Sequence, residues 1–348
     1  FMEDSAAVYM RREVEIPVPV RKATAFICGL GYYELYINGR KVGDRVMDPL
    51  FTDYDKRVVY ATYDVTDYFS TGSNAFGILL GNGWYSLPTR DVFGMHDANW
   101  HTPPKVRLNV VVEYESGARD VIVTDRTWKW GHGEIVYNSV RSGETIDHTK
   151  SVHGWNEPGF CDSLWRNVCH VPAPLGKLTA DPMPPMRVVK ELKPVGITET
   201  GPGVYLVDFG ENLTGWVETR VRGSRGQTVE LQFNEVLKAD GSLDTQNSTW
   251  HTRGRYQTEL LILGGDGEET FEPRFTYHGF RYMQVRGLDY KPAPEDFTAK
   301  CVHTDLQRAG NFSCSMDKLN DLNAAVCRTL LNACLLYTSP SPRDRTRS

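Results

Sequence analysis

No stretch of this 348-residue chain approaches the ~18 consecutive apolar residues of a membrane-spanning helix, so no membrane partner is expected. Positive charge is not in excess either. Lys and Arg number 39 against 44 Asp and Glu, for a net charge of −5, which leaves no reason to expect nucleic acid or anionic lipid as a partner. Cysteine is sparse and irregular: Cys28, Cys161, Cys169, Cys301, Cys314, Cys327 and Cys334 form no Cys-x-x-Cys pair and no repeating interval, the pattern of reduced thiols rather than of a disulfide framework. His96, Asp97 and His101 lack the spacing of a zinc site. No signal peptide is visible. The chain starts at Phe1 and is strand-like by Glu13, so its true amino terminus is expected upstream, with a cytoplasmic location favoured slightly over a secreted one.

Helical periodicity is also scarce, which argues against α/β folds. The glycines from Gly29 to Gly43 could pass for a dinucleotide fingerprint, but no helix follows them. What the chain has in quantity is aromatic residues: 8 Trp, 17 Tyr and 14 Phe. Sandwich cores use them in cross-strand pairs, and carbohydrate sites stack a ring on the C–H face of a sugar; the core use is the commoner.

Short β-branched and aromatic runs recur through the first 175 residues: 24–29, 33–37, 58–63, 74–80, 105–114, 118–123 and 134–139. Asn38-Gly39 between two of them predicts a type I′ hairpin, because both central residues of that turn need positive φ. Prolines then become dense between Ala173 and Pro194, where a linker is expected, with a strand at Met186 to Leu192 already pairing into the next unit. A second strand series follows at 204–209, 215–222, 228–236, 255–263 and 282–287. The expected fold is all-β, with two consecutive antiparallel β-sandwiches of jelly-roll type. Only after Ser315 does a helical stripe appear, at Leu319, Leu322, Val326, Leu330 and Ala333, with Ser315 as the expected cap.

Several blocks, specific by order and spacing, resemble bacterial α-L-rhamnosidases (glycoside hydrolase family 78). In the first half these are Gly29 to Asp44, Asp53 to Arg57, Tyr63 to Thr66, Gly81-Asn82-Gly83-Trp84-Tyr85, and Ser142 to Asp147 with Gly154-Trp155. The second half adds Val207 to Trp216, Asn234 to Leu237, and Glu272 to Tyr282. The resemblance covers roughly Tyr9 to Cys334 and implies an inverting glycosidase acting on rhamnose-containing glycans or glycosides. Its catalytic (α/α)6 barrel would follow the sandwiches and supply both the proton donor and the water activator. The helix after Ser315 is then the first helix of that missing domain. The string from Leu336 resembles translated adapter read-through and is expected to be a foreign tail. The expected division is 1–176 for a carbohydrate-binding-like sandwich, 177–190 for the linker, 191–304 for the second sandwich, 305–335 for the start of the helical domain and 336–348 for the tail.

The chain by itself is therefore expected to be inactive. Glu144 with Asp147, Asp53 with Asp55, and Asp208 with Glu211 are close in sequence, but loop or strand-edge roles are expected for each. His278 beside Arg281 is expected to be structural. In some relatives the first sandwich binds rhamnose with a calcium ion, which takes six to eight oxygen ligands. That implication singles out Asn82, Trp84 and Tyr85 on the glycine-flanked loop, with Asp53 and Asp64 beside it, as substrate-binding candidates. A structural loop is the plainer reading of the same residues. Asn82 stands where the family pattern has Asp, which removes a charged oxygen and weakens the case for calcium. The alternative function is a free-standing carbohydrate-binding or adhesion module.

Overall fold

Alternation along the strand Val20–Leu30 sends Ala23, Ala25 and Ile27 into a core and Thr24 and Phe26 to the opposite face. Its neighbour Lys105–Tyr114 does the same with Leu108, Val110, Val112 and Tyr114. In this computed structural model, which describes residues 5–90, 94–245 and 254–333, these two strands are the centre of a five-stranded sheet. Its spatial order is Lys177–Ala180, Arg57–Asp64, Val20–Leu30, Lys105–Tyr114, Arg119–Val123. A six-stranded sheet faces it, in the order Arg166–Asn167, Lys129–Gly131, Val8–Ile16, Gly72–Gly81, Tyr32–Ile37, Arg40–Lys41. Met10, Leu35, Phe76, Ile78 and Trp128 fill the space between them. The hairpin at Asn38-Gly39 has φ of 51° and 76°, as the type I′ turn requires. Gly39→Ala should cost about 1–2 kcal/mol, because a Cβ is disfavoured at positive φ; denaturant titration of the variant checks it.

The second sandwich is one ten-stranded sheet that bends back on itself. Its longest strand, Val204–Arg222, pairs with His278–Arg286 on both sides of a register shift between Asp208 and Leu213, and then with Phe297–Thr304 and Glu268–Phe271. The sequence pattern shows two strands there because glycines interrupt it; Gly210 has φ of 81° and marks the bulge. Phe209, Val217, Leu231, Phe233, Phe280 and Met283 line the enclosed core.

Two strand assignments differ from expectation. The segment 134–139, expected in the first sandwich, forms a hairpin, Ile135–Ser139 with Gly143–Asp147, whose second strand lies parallel to Thr258–Ile262 in the second sandwich. Gly143 makes this possible: at φ of 101° a Cβ would sit 2.1 Å from the Thr258 carbonyl oxygen. The proline-dense span is also not a free linker. Lys177–Ala180 runs parallel to Arg57–Asp64 at the edge of the first sandwich, while Met186–Leu192 pairs, as expected, with Phe297–Thr304 in the second. The prolines fall between and beside these short edge strands, where a missing N–H is tolerated.

The two sandwiches share an apolar seam built from Tyr32, Leu79, Trp84, Met186, Trp216 and Phe275. Gly81 is a close-approach site, since a Cβ there would lie 2.2 Å from the Phe275 ring. The helix α1 spans Asp317–Ala333. Its start is tied by Asn320, which accepts from the Cys314 N–H and donates to the Cys314 carbonyl, and not by the expected Ser315. The tail expected from 336 lies outside the described residues.

Candidate functional site

Of the five substrate-binding candidates, three are interior. Asn82 is fully buried; its N–H donates to Asn138 Oδ1 at 2.7 Å, and its carboxamide donates to the carbonyls of Ser5 and Asn138. Trp84 lies in the seam with the Arg141 guanidinium 5.0 Å from its ring centre. Tyr85 is stacked on Trp100 at 5.7 Å and meets Tyr54 edge-on. At 4% and 1% exposure, Trp84 and Tyr85 offer no ring face to a sugar, so the loop is a packing plug rather than a platform. Both acidic candidates are exposed: Asp53 precedes the Arg57–Asp64 strand and pairs with Lys56, and Asp64 ends that strand and accepts from Thr66. Among the described residues no carboxylate converges on the buried Asn82 carboxamide oxygen, so they do not assemble the six to eight oxygens that calcium takes. Among the described residues no three His, Cys, Asp or Glu side chains are grouped to hold a metal.

What the sequence did not reveal is a buried polar network across the seam. Glu34 of the first sandwich accepts from Lys41 at 2.6 Å, from Arg274 of the second sandwich at 2.9 Å, and from the Tyr36 hydroxyl. Burial pushes its carboxyl up, but the charges of Arg274 and Lys41 outweigh that and hold it down at about 2. A second carboxylate, Glu144, accepts from the N–H of Phe275 at 2.7 Å and of Arg274 at 3.2 Å. The Glu144 N–H donates to Glu259 Oε2, whose other oxygen bonds His278 Nε2. Burial first, and then the Glu259 charge, raise the Glu144 carboxyl to about 8. His278, stacked on Phe233 at 4.5 Å, is wholly buried and structural. Arg281 points elsewhere, to a two-pronged pair with Asp208 at 2.8 and 2.9 Å.

None of the nominated carboxylate pairs is arranged for hydrolysis. Glu144 and Asp147 are buried in the Gly143–Asp147 strand, not on a loop, and Asp147 accepts from the Thr149 N–H and hydroxyl. Glu211 is paired with Lys190, and Asp53 with Lys56. Glu144 can hold the two sandwiches together and retain a proton at neutral pH. None of these pairs can reach a glycosidic oxygen and a water on opposite faces of a sugar.

Four of the residues that build the seam, Tyr32, Trp84, Trp216 and Phe275, lie in the blocks that carry the family resemblance. Residues 18–190 match the α-L-rhamnosidase N-terminal domain, and residues 198–303 match the bacterial α-L-rhamnosidase concanavalin-like domain. The chain belongs to the bacterial α-L-rhamnosidase family. An α-L-rhamnosidase of Formosa agariphila is 35% identical to it over 324 residues, covering 91% of this chain and 34% of that protein. One from Streptomyces avermitilis is 38% identical, covering 92% and 31%. The α-L-rhamnosidase of Dictyoglumus thermophilum superposes with a TM-score of 0.87 at 39% identity, over 94% of this chain and 36% of that one. The Streptomyces avermitilis enzyme complexed with L-rhamnose gives a TM-score of 0.89 at 37% identity, over 94% and 31%. This α-L-rhamnosidase family chain thus spans about a third of the length of its curated relatives.

Proposed function

We propose that this chain is the non-catalytic β-sandwich portion of an inverting α-L-rhamnosidase that releases terminal α-L-rhamnose from glycans and glycosides, and that α1 packs against the helical catalytic domain of the same protein. The observation that carries this reading is the apolar stripe of α1, which none of the described residues covers. Leu319, Leu322, Val326 and Leu330 are 43–58% exposed, whereas α1 holds to the second sandwich by polar contacts, Thr214 Oγ1 to the Asn332 carbonyl and Asn332 Nδ2 to the Asn212 carbonyl. An apolar helix face of that extent needs further helices to cover it. The matches over both sandwiches support the family's reaction, and the Streptomyces avermitilis complex supports a rhamnose-containing substrate.

The chain alone should release no nitrophenol from nitrophenyl α-L-rhamnoside. Grafted in place of the matching third of the Streptomyces avermitilis relative, it should support hydrolysis. Release by the 348 residues alone would overturn the non-catalytic role, and a folded but inactive graft would overturn the scaffold role.

A further inference from the structure

The outer face of the five-stranded sheet carries a cavity of about 230 Å³ lined by Phe26, Cys28, Tyr60, Arg107, Asn109 and Leu178. Strand alternation assembles it. Phe26 pairs with Asn109 and Cys28 with Arg107 across neighbouring strands, while Ala25 and Ile27 between them turn into the core. Tyr60 stands on the Arg57–Asp64 strand, with its ring edge-on to Phe26 at 6.1 Å. Leu178 closes one side from the edge strand.

Three polar groups here are unused: the Arg107 guanidinium, the Asn109 carboxamide and the Tyr60 hydroxyl make no side-chain hydrogen bond or ion pair with any described residue. The lining contains one cation and no carboxylate. Burial pushes the Cys28 thiol up to about 12, so the floor of the cavity is neutral. An apolar wall with aromatic rings suits the C–H face of a sugar, and a planar guanidinium with two parallel donors suits a carboxylate. The volume suits one ring rather than a chain of them.

We propose that this cavity binds a single pyranose residue carrying a carboxylate, a uronic acid of the glycan, with its ring against Phe26 and Tyr60, its carboxylate on Arg107 and a hydroxyl on Asn109. The site rests on the reading of the chain as part of a glycan-degrading protein; Cys28 and Tyr60 pack in one cluster with Tyr85, but no residue of the Asn82–Tyr85 loop lines the cavity, and the site needs no metal. Calorimetric titration of the full chain at low salt with methyl β-D-glucuronide, methyl β-D-glucoside and L-rhamnose tests it. The glucuronide should bind about tenfold or more tightly than either neutral sugar, and added salt should weaken it. Arg107→Gln should remove that preference, and Leu178→Trp, at an exposed edge position, should block the cavity and abolish the heat, with melting curves confirming that each variant is folded. If Arg107→Gln does not fold, Leu178→Trp decides. Equal affinity for glucuronide and glucoside, no heat with any of the three, or unchanged glucuronide binding in a folded variant would overturn the site. The graft experiment reads hydrolysis of a rhamnoside without a uronic acid, so its failure and the failure of this site are separately visible.

Discussion

Phe275→Ala should split the unfolding of this protein into two transitions. Phe275 is 1% exposed and lies against the bare backbone of Gly81 on the first sandwich, so its ring sits at a close-approach point of the seam on which the two sandwiches meet. Truncating a buried Phe costs about 3–5 kcal/mol, the lost transfer energy plus a cavity that the flanking sheets cannot collapse into. Here the loss falls on the seam and not within either core, so it uncouples the domains. Scanning calorimetry should show one transition for the parent and two, separated, for the variant. The backbone N–H of Phe275 still donates to Glu144 in the variant, which confines the change to the ring. A single transition at an unchanged temperature would show that the sandwiches are held by something else.

The second large effect is a pH dependence located at Glu144. The carboxyl titrates near 4.5 in an unfolded chain and at about 8 in the folded one, because burial and the neighbouring Glu259 charge disfavour its ionised form. Between those values the folded state holds a proton that the unfolded state has released. The corresponding stability is therefore fully present below about 4.5 and is lost as pH rises through about 8, a change on the order of 5 kcal/mol. Arg274 and Arg255 face the same pair and limit the loss, while Glu34, already held down at about 2, contributes nothing in this window. Urea titrations at pH 5 and pH 8.5 should show the parent markedly weaker at the higher pH. Glu144→Gln cannot ionise and keeps an acceptor for the Phe275 N–H, so its stability should be nearly flat across that range. An equally steep fall in the variant would assign the dependence to other groups.

Much of the fold was legible because strand periodicity is a local property. Lys105–Tyr114 and Met186–Leu192 have the boundaries their alternation predicts, and Asn38-Gly39 has the turn geometry its two residues favour. The short strands Lys129–Gly131 and Arg166–Asn167 were not legible, since two or three residues carry no period. The burial of Trp84 and Tyr85 was not legible for a related reason: an aromatic pair on a glycine-flanked loop has the same sequence whether its rings face solvent or the interior. Phe26, Tyr60, Arg107 and Asn109 were missed although each sits on an expected strand. A weak signal existed in the polar residues Arg107 and Asn109 alternating with the apolar Val106, Leu108 and Val110, but alternation alone does not say which solvent-side residues lie together.

By itself the sequence determined the class of fold, the order of its two sandwiches, the late helix and the family, because each depends on residues near one another in the chain. Only the tertiary structure decided that Gly143–Asp147 crosses into the second sandwich, that Glu34 meets Arg274 240 residues away, and that Glu144 is buried beside Glu259. Burial, desolvation and charge pairing act through space, and no spacing along the chain encodes which distant strand will supply the partner.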